Sequence, residues 1–238
     1  GGDRRSGIGD VLEHFHAGHD VEARRRLAGQ RRSRVASAHA GVPLCEGRRP
    51  MKPEDFPEDT PTPELVLPIH RATTFVLVRP HYPENVGATA RAIKTMGFVA
   101  LALVKPGRLA VPEHEMALKM AVKSKDVLLG APCHDALAPA VASADWVVGT
   151  TSRRGVSGVL LPRELGRLGV ERAARGKKLA VVFGNEKTGL GEAERELCHD
   201  FVRIPMAADQ PSINLAQATQ LVAYELFVAG LEARNQGL

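Results

Sequence analysis

The chain has 238 residues, of which 44% are hydrophobic and 25% are charged, values ordinary for a globular protein. No run reaches the roughly 18 apolar residues of a membrane span, so no membrane association is expected. The formal net charge is +5, but residues 1–50 hold ten arginines and six acidic residues, so the remainder is nearly neutral and any RNA binding must depend on local patches.

The first 72 residues lack the periodicity of helices or strands. Residues 1–50 contain the arginine-rich stretch EARRRLAGQRRSRVASAHAG, and MKPEDFPEDTPTPELVLP contains five prolines among acids and threonines. These compositions predict a disordered arm at residues 1–50 and a proline-stiffened linker at residues 51–72. Met51 offers an alternative start, so we expect the arm to be dispensable. The folded domain is predicted to cover residues 73–238.

From residue 73 onwards, short apolar segments alternate with helical segments. The predicted strands are TFVLVR at 74–79, VALALV at 99–104, DWVVGT at 145–150, KLAVVFG at 178–184 and FVRIP at 201–205. The predicted helices cover 85–97, 112–122, 134–144, 163–175, 192–198 and a long last segment from near Ser212. We expect the helix at 163–175 to be polar and exposed. Near-continuous apolar strands between helices predict an α/β fold with a doubly wound, mostly parallel sheet.

The cysteines limit the class of protein further. Cys45, Cys133 and Cys198 are odd in number, widely separated and without CxxC spacing. This pattern indicates neither a disulfide framework nor a zinc site, so we predict no metal and a reducing, cytoplasmic environment.

Four polar loops follow predicted strands, where ligands bind in open α/β sheets. The loops are RPHYPENVGATAR, GTTSRRG, GNEKTGL and IPMAADQPSIN. Gly184 and Gly189 have the spacing of a phosphate-loop motif, but Leu190 stands in place of its lysine. There is no GxGxxG after the first strand, no GxSxG elbow and no HExxH. ATP hydrolysis, hydride transfer and serine hydrolysis therefore lose support.

Three segments carry a resemblance to a known family: ENVGATARAIKTMGF, VVFGNEKTGL and IPMAADQPSINLAQATQLVAYE. They resemble the signature motifs of the SPOUT superfamily, in its SpoU/TrmH-type branch of RNA 2'-O-ribose methyltransferases. The VVGTTSRRG loop and the SINLAQA helix start most resemble the TrmJ-type subgroup, which methylates riboses in the tRNA anticodon loop. The resemblance covers about residues 73–232, with the motifs in the correct order.

The resemblance implies a C-terminal trefoil knot that binds S-adenosyl-L-methionine, and a homodimer whose active sites are completed across the interface. Gly184 and Gly189 are expected to let backbone groups approach the adenine closely. By motif correspondence, the cofactor-binding residues are Thr150, Thr151, Ser152, Gly184, Ile204, Pro211, Ser212 and Ile213.

The same correspondence implies five catalytic residues: Arg91, Asn85, Glu186, Ser212 and Asn214. Arg91 matches the family's essential arginine. Because a guanidinium is almost always protonated, we expect Arg91 to stabilise the developing alkoxide on the ribose and to orient the adjacent phosphate. Asn85 is expected to cap its helix and position Arg91, while the other three shape the ribose pocket.

Local groups near the motifs are candidates for RNA contacts: Arg79, His81, Arg153 and Arg154. The predicted function is S-adenosylmethionine-dependent RNA 2'-O-ribose methylation, with tRNA as the expected substrate. The alternatives are methylation of rRNA and a noncatalytic, knotted RNA-binding protein.

Each site residue also has a purely structural interpretation. Asn85 or Ser212 could cap a helix, and Arg91 could be an ordinary exposed arginine. Glu186 could pair with Lys187 or Arg154 in a surface loop. The joint placement of these residues in three ordered motifs favours the catalytic interpretation.

Overall fold

The computed structural model describes residues 65–153, 156, 158–208, 210 and 212–237. The predicted arm and residues 51–64 of the predicted linker lie outside these ranges, as do two predicted site residues, Arg154 and Pro211.

Six strands form one sheet in which all neighbours are parallel, with the order β3-β2-β1-β5-β4-β6. They are β1 Thr73–Val78, β2 Leu101–Val104, β3 Cys133–His134, β4 Trp146–Thr150, β5 Leu179–Phe183 and β6 Asp200–Val202. The chain runs from β1 outwards to β3 and then returns to the other side of β1. The predicted α/β fold with a doubly wound parallel sheet is therefore confirmed.

Eight helices of the described ranges flank or connect these strands. They are α1 Pro68–Ala72, α2 Pro83–Thr95, α3 Glu115–Met120, α4 Lys125–Leu129, α5 Leu137–Val141, α6 Pro162–Ala174, α7 Glu192–Glu196 and α8 Leu215–Asn235. Helix α5 is shorter than the predicted helix at 134–144, because Cys133 and His134 pair with the end of β2 as an edge strand. None of these helices is long and apolar enough to cross a membrane.

The sheet buries a separate apolar cluster on each of its faces. On one face, Phe75 and Leu77 of β1 pack with apolar residues of α2, α6 and α8. On the other face, Val76 and Val78 pack with Leu137 of α5. Burial on both faces explains why the strands are continuously apolar instead of alternating.

The expectation that helix α6 is exposed is wrong for one of its faces. Leu165 is fully buried, and a Cβ atom at Gly166 would lie only 2.7 Å from the carbonyl oxygen of Glu225 in α8. Arg172 places its guanidinium carbon 4.3 Å from the ring centroid of Trp146 in β4. Glycine at the crossing lets α6 and α8 approach closely while giving no hydrophobic signal in the sequence.

Residues 65–72, which were assigned to the linker, contribute to the fold. Helix α1 begins at Pro68, a residue favoured at the first helical position. Leu67 and Ile69 are only 3% and 1% exposed. Both pack against α8, where a Cβ atom at Gly230 would lie 2.9 Å from one side chain and 3.0 Å from the other. The folded part of the chain therefore begins before Thr73.

Candidate active site

A cavity opens at the carboxyl ends of β4, β5 and β6, beside the start of α8. Polar residues after β4, the turn after β5 and apolar residues before α8 form its walls. Of the predicted cofactor residues, those within the described ranges all line it: Thr150, Thr151, Ser152, Gly184, Ile204, Ser212 and Ile213. The fold thus gathers residues from three separate loops at one edge of the sheet.

The turn after β5 is closed by its own hydrogen bonds. The Gly189 N–H donates to the Asn185 carbonyl at 2.8 Å, and the Asn185 N–H donates to the Gly189 carbonyl at 3.2 Å. The Asn185 side-chain oxygen accepts from the N–H groups of Lys187 at 2.9 Å and Thr188 at 3.1 Å. The turn therefore has a defined shape without any ligand.

The two glycines of this turn serve different purposes. A Cβ atom at Gly184 would lie 2.3 Å from the Gly189 carbonyl carbon and 2.4 Å from the Leu190 nitrogen, so glycine is needed for the turn to fold back on its strand. Gly189 has a φ of +68°, and no heavy atom lies within 4 Å of the position its Cβ would take. Open space for a ligand group is therefore found beside Gly189, whereas Gly184 is enclosed by the turn itself.

Arg79, directly after β1, ties this turn to helix α7. Its guanidinium forms an ion pair with Glu194 and donates to the Gly189 carbonyl at 3.3 Å. Its carbonyl accepts from the Asn185 amide at 2.6 Å, and Glu194 accepts from the Gly191 N–H at 2.5 Å. Arg79 has a φ of +49°, a strained region for a residue with a side chain. Although Arg79 was predicted to contact RNA, its charge is paired within the chain.

Three predicted catalytic side chains form one hydrogen-bonded frame. The Asn85 Nδ2 donates to Glu186 Oε1 at 2.9 Å, and the Asn214 Nδ2 donates to Asn85 Oδ1 at 2.9 Å. The Glu186 carboxylate also accepts from the backbone N–H groups of His81 at 2.9 Å and Tyr82 at 3.4 Å. The frame joins the loop after β1, the turn after β5 and the start of α8.

Two capping predictions need correction. Helix α2 begins two residues before Asn85, so the amide lies inside the first turn and is free to reach across to other motifs. The cap of α8 is Asn214 and not Ser212, because the Asn214 side-chain oxygen accepts from two backbone N–H groups of the first turn, at 3.0 and 3.3 Å. Asn214 therefore both begins α8 and joins it to α2.

A second cavity surrounds this frame and adjoins the first. Its lining residues are Tyr82, Glu84, Asn85, Glu186, Ser212, Ile213, Asn214 and Leu215. Glu186, Ser212, Ile213 and Leu215 line both cavities. Two ligands held in these cavities would meet beside Glu186 and Ser212.

Basic side chains border the other side of the turn. Arg153, Lys187 and Arg195 line a depression that shares polar residues with the first cavity. Arg153 and Lys187 are exposed, as is His81 beside the second cavity. Of the predicted RNA contacts, His81 and Arg153 are thus accessible to phosphates near the site.

A single chain does not bring Arg91 to either cavity. Arg91 lies on α2 six residues after Asn85, which is about 9 Å along the helix axis and about 240° around it. It is exposed and lines neither cavity, and no contact of its guanidinium is found within the described part of the chain. The predicted role of Arg91 therefore depends on a second copy of the chain.

A protonated thiol packs against Gly149 of β4. Burial raises the pKa of the Cys198 thiol to about 11, and the nearby Glu194 carboxylate adds to this increase. The thiol donates to the Glu194 carbonyl at 3.3 Å, and a Cβ atom at Gly149 would lie 2.8 Å from its sulfur. Cys198 therefore acts as a packing residue at neutral pH. Among the described residues, no group of three or more His, Cys, Asp or Glu could hold a metal ion.

The sequence matches the model of the SpoU rRNA Methylase family over residues 72–224, which is more than half of the chain. The chain belongs to the SpoU rRNA methylase family. This membership confirms the resemblance drawn from the three motifs.

Relatives of this SpoU family member have been named and their structures solved. A tRNA (cytidine/uridine-2'-O-)-methyltransferase TrmJ from Sodalis glossinidius is 39% identical, and the match covers 68% of this chain and 62% of that protein. The chain thus spans less than two thirds of that relative's length. A probable methyltransferase from Bordetella pertussis Tohama I is 36% identical with a TM-score of 0.64, covering 66% of this chain and 95% of that one. TrmJ from Z. mobilis ZM4 is 30% identical with a TM-score of 0.59, and the match covers 66% of this chain and 69% of that one.

Sequence reasoning missed two parts of this SpoU-family site. One is the apolar wall of the first cavity, which includes Phe183, Val202, Met206, Leu215 and Ala218. The other is the tie between Arg79 and Glu194. Glu194 carried a signal, because an acid at the third position of a predicted helix can accept from the backbone N–H group of the residue before the helix, as Glu194 does from Gly191.

Proposed function

We propose that the chain is an S-adenosylmethionine-dependent tRNA 2'-O-ribose methyltransferase that acts as a homodimer in the cytoplasm. The observation that carries this proposal is the junction of two cavities at Glu186 and Ser212. One cavity has apolar walls and a tight turn, and the other contains the frame of Asn85, Glu186 and Asn214. Such an arrangement can hold a methyl donor and a ribose with their reacting atoms adjacent.

The first cavity fits the chemistry of the cofactor. Ile204, Ile213 and Leu215 offer apolar surface for a purine ring, and residues 150–152 offer hydroxyl groups. Open space beside Gly189 leaves the backbone of the turn accessible. When bound there, S-adenosylmethionine supplies a methyl group activated by its sulfonium.

The second cavity is the proposed ribose site. A carboxylate has about four acceptor positions, and three at Glu186 are already used by Asn85 and by two backbone N–H groups. Glu186 is therefore better suited to orient its neighbours than to remove a proton. Ser212 lines both cavities and is the proposed hydrogen-bond partner of the 2'-hydroxyl.

The proposed homodimer supplies a cation that the frame itself lacks. In the proposed reaction the 2'-oxygen would attack the methyl carbon as the methyl–sulfur bond breaks, which would release the neutral thioether S-adenosylhomocysteine, and the hydroxyl proton would pass to solvent water. Negative charge would therefore develop on the 2'-oxygen as it loses its proton. We assign stabilisation of this charge to the partner subunit's Arg91, because the guanidinium of Arg91 is exposed on each chain. Loss of one such donor typically lowers kcat by about 10²–10³-fold.

The choice of tRNA rests on the named relatives, since the TrmJ protein from Sodalis glossinidius is 39% identical. The family name refers to rRNA, so methylation of rRNA is the second candidate. Exposed Arg153 and Lys187 beside the turn suit the phosphates of either RNA.

One experiment tests the proposal and separates the alternatives. The protein is incubated with isotopically labelled S-adenosylmethionine and either total tRNA or rRNA, and the nucleosides are analysed by mass spectrometry. We expect labelled 2'-O-methylnucleosides from tRNA. Label in rRNA alone would replace the tRNA assignment. RNA binding without transfer to either RNA would favour the noncatalytic alternative, and calorimetric titration with the cofactor would separate a binding protein from an enzyme.

A further inference from the structure

The outer wall of the second cavity is an unusually exposed aromatic ring. Tyr82 is 43% exposed, and among the described residues the other aromatic side chain of comparable exposure is Tyr224 on α8. Only 4% of the chain is aromatic, and four of the eight described Phe, Trp and Tyr rings are buried. Tyr82 is one of the two strongly exposed rings, and it lies at the mouth of the proposed ribose site.

The Tyr82 ring is held in position by its neighbours. Its backbone N–H donates to Glu186 at 3.4 Å, and Pro83 begins helix α2 directly after it. The His81 ring packs edge-on against it, with centroids 4.7 Å apart and an interplanar angle of 87°. The Tyr82 hydroxyl makes no hydrogen bond within the described part of the chain. The ring is thus oriented while its polar end is not committed.

A cation lies beside the same ring. The Lys187 ammonium is 5.8 Å from the Tyr82 ring centroid, within the range of a cation–π contact. Lys187 belongs to the turn after β5, whose shape is fixed by Asn185. An exposed ring next to a positive charge is the combination that binds single-stranded nucleic acid, because the ring stacks on a base and the cation attracts the phosphate.

We propose that Tyr82 and Lys187 form a stacking platform for the base of the nucleotide whose ribose is methylated. The proposal rests on the proposed function, since the ribose must occupy the second cavity. A ribose held beside Asn85 and Glu186 has its own base only one glycosidic bond away, at the rim where Tyr82 lies. Stacking accepts any base, so the platform adds affinity and sets the orientation of the sugar without fixing the base.

The test compares Tyr82→Leu with Tyr82→Phe in the full chain. Binding is measured by fluorescence anisotropy with an anticodon stem–loop RNA, and cofactor binding is measured separately by calorimetry. Tyr82→Leu should raise the Kd for RNA by roughly 5- to 150-fold, which is the usual range for loss of one stacked base. Tyr82→Phe should bind like wild type, because the hydroxyl has no partner in the described chain. Both variants should bind the cofactor normally, which also shows that they are folded.

Single abasic nucleotides in the same RNA identify the stacked base. An abasic position at the methylated nucleotide should weaken binding to wild type and abolish the difference between wild type and Tyr82→Leu. The proposal would be overturned if an abasic position at a neighbouring nucleotide, and not at the methylated one, abolished the difference between wild type and Tyr82→Leu. It would also be overturned if Tyr82→Leu bound the intact RNA as tightly as wild type. Methyl transfer by the wild-type protein is scored separately. If the wild-type protein binds RNA normally but transfers no methyl group, the proposed function is wrong. If it transfers the methyl group normally but the effect of Tyr82→Leu does not depend on the base of the methylated nucleotide, only the platform is wrong.

Discussion

Asn85 and Arg91 lie on the same helix, but their surroundings are opposite. Asn85 is 9% exposed and its amide bonds to Glu186 and Asn214. Arg91 is exposed, and its guanidinium contacts no described residue of its own chain. Helix α2 therefore has one end that organises the site of its own chain and another that presents a cation outwards.

The difference shows which parts of the site one chain can build. Neutral and acidic groups are fixed in advance by hydrogen bonds between loops, so they need little reorganisation when ligands bind. The cation of the proposed reaction, Arg91, is kept apart from Glu186, with which it would otherwise form an ion pair. A site completed only by a second copy would thus be inactive in a single chain, and five predictions test this division.

The largest expected effect is that of Arg91→Lys. It should lower kcat by about 10²–10³-fold, because a lysine cannot reproduce the planar fork of a guanidinium at the developing charge. The Kd for S-adenosylmethionine should not change, since Arg91 does not line the first cavity. Single-turnover kinetics and calorimetry measure the two quantities. Arg71→Lys, the same change at an exposed arginine of α1, is the matched control and should keep full activity.

Mixed dimers decide whether Arg91 acts across an interface. Chains carrying Arg91→Lys are co-expressed with chains carrying Gly184→Ala, and activity is assayed at a cofactor concentration well below the Kd of the Gly184→Ala variant, so that each variant alone has little activity. In a mixed two-fold dimer, one of the two sites has both an intact turn after β5 and the partner subunit's Arg91. Because random pairing makes about half of the dimers mixed, the activity per chain should recover to about a quarter of the wild-type value. No recovery in purified mixed dimers would show that Arg91 serves its own chain.

Gly184→Ala tests the part of the site that one chain builds by itself, namely the turn after β5. The new methyl group would lie 2.3 Å from the Gly189 carbonyl carbon, so the turn must move. We expect the Kd for the cofactor to rise by more than tenfold and the free energy of unfolding to fall by about 1–3 kcal/mol, as for other overpacked sites. Calorimetry and denaturant unfolding measure these changes.

The control for this variant is Gly176→Ala, where a Cβ atom meets nothing within 4 Å but φ is +72°. Gly176→Ala should lower the free energy of unfolding by about 1 kcal/mol through backbone strain and leave the affinity for the cofactor unchanged. If both alanines weakened cofactor binding equally, the fit of the turn against its own strand would not be the reason for glycine at position 184.

The sequence indicated the sheet and the polar loops of the first cavity because their signals are local. The apolar strands are continuous since both faces are buried, and each polar loop follows its strand directly. Gly166 and Gly230 were not recognised as helix contacts, because a glycine at a crossing looks the same in sequence as one in a loop. Residues 65–72 were assigned to the linker because the five prolines between positions 53 and 68 outweighed Leu67 and Ile69, the two apolar residues that pack on α8.

The three residues of the hydrogen-bonded frame could be chosen from the sequence, but their contacts could not be predicted from it. Asn85 and Glu186 are 101 residues apart, and Asn85 and Asn214 are 129 apart, so their hydrogen bonds depend on the tertiary fold. Local propensity favoured Asn85 as a helix cap, whereas Pro83 begins the helix and leaves the amide available. The order of the motifs predicted which residues belong to the candidate site, whereas their hydrogen bonds to one another are visible only in the fold.

Asn85→Asp should make the frame sensitive to pH. The new carboxylate would lie where the Asn85 amide is 2.9 Å from Glu186 Oε1, and this proximity raises the pKa of one of the two carboxyl groups in the folded state. The folded variant then holds a proton that the unfolded chain has lost, so its stability falls as pH rises from about 4 to the raised pKa. Chemical denaturation across this pH range measures how much the free energy of unfolding of Asn85→Asp lies below that of the wild type.

Asn85→Ala is the uncharged comparison for this change. It removes the amide without adding a carboxylate, so it should cost about 1–3 kcal/mol at every pH. If the loss of unfolding free energy in Asn85→Asp did not vary with pH, Glu186 would be able to turn away from the new carboxylate. The frame would then be less rigid than its four hydrogen bonds indicate.

The smallest expected effect separates an ion-paired arginine from one with no ion pair among the described residues. Arg153 is exposed beside the cavity, whereas Arg79 is paired with Glu194. In plots of log Kd for RNA against log salt concentration, Arg153→Gln should reduce the slope by roughly 0.7–1, the loss of one phosphate contact. Arg79→Gln should keep the wild-type slope but weaken cofactor binding, because the turn at Gly189 loses its tie to α7. An equal loss of slope in both variants would mean that the ion pair opens on RNA, and that Arg79 belongs with the surface cations.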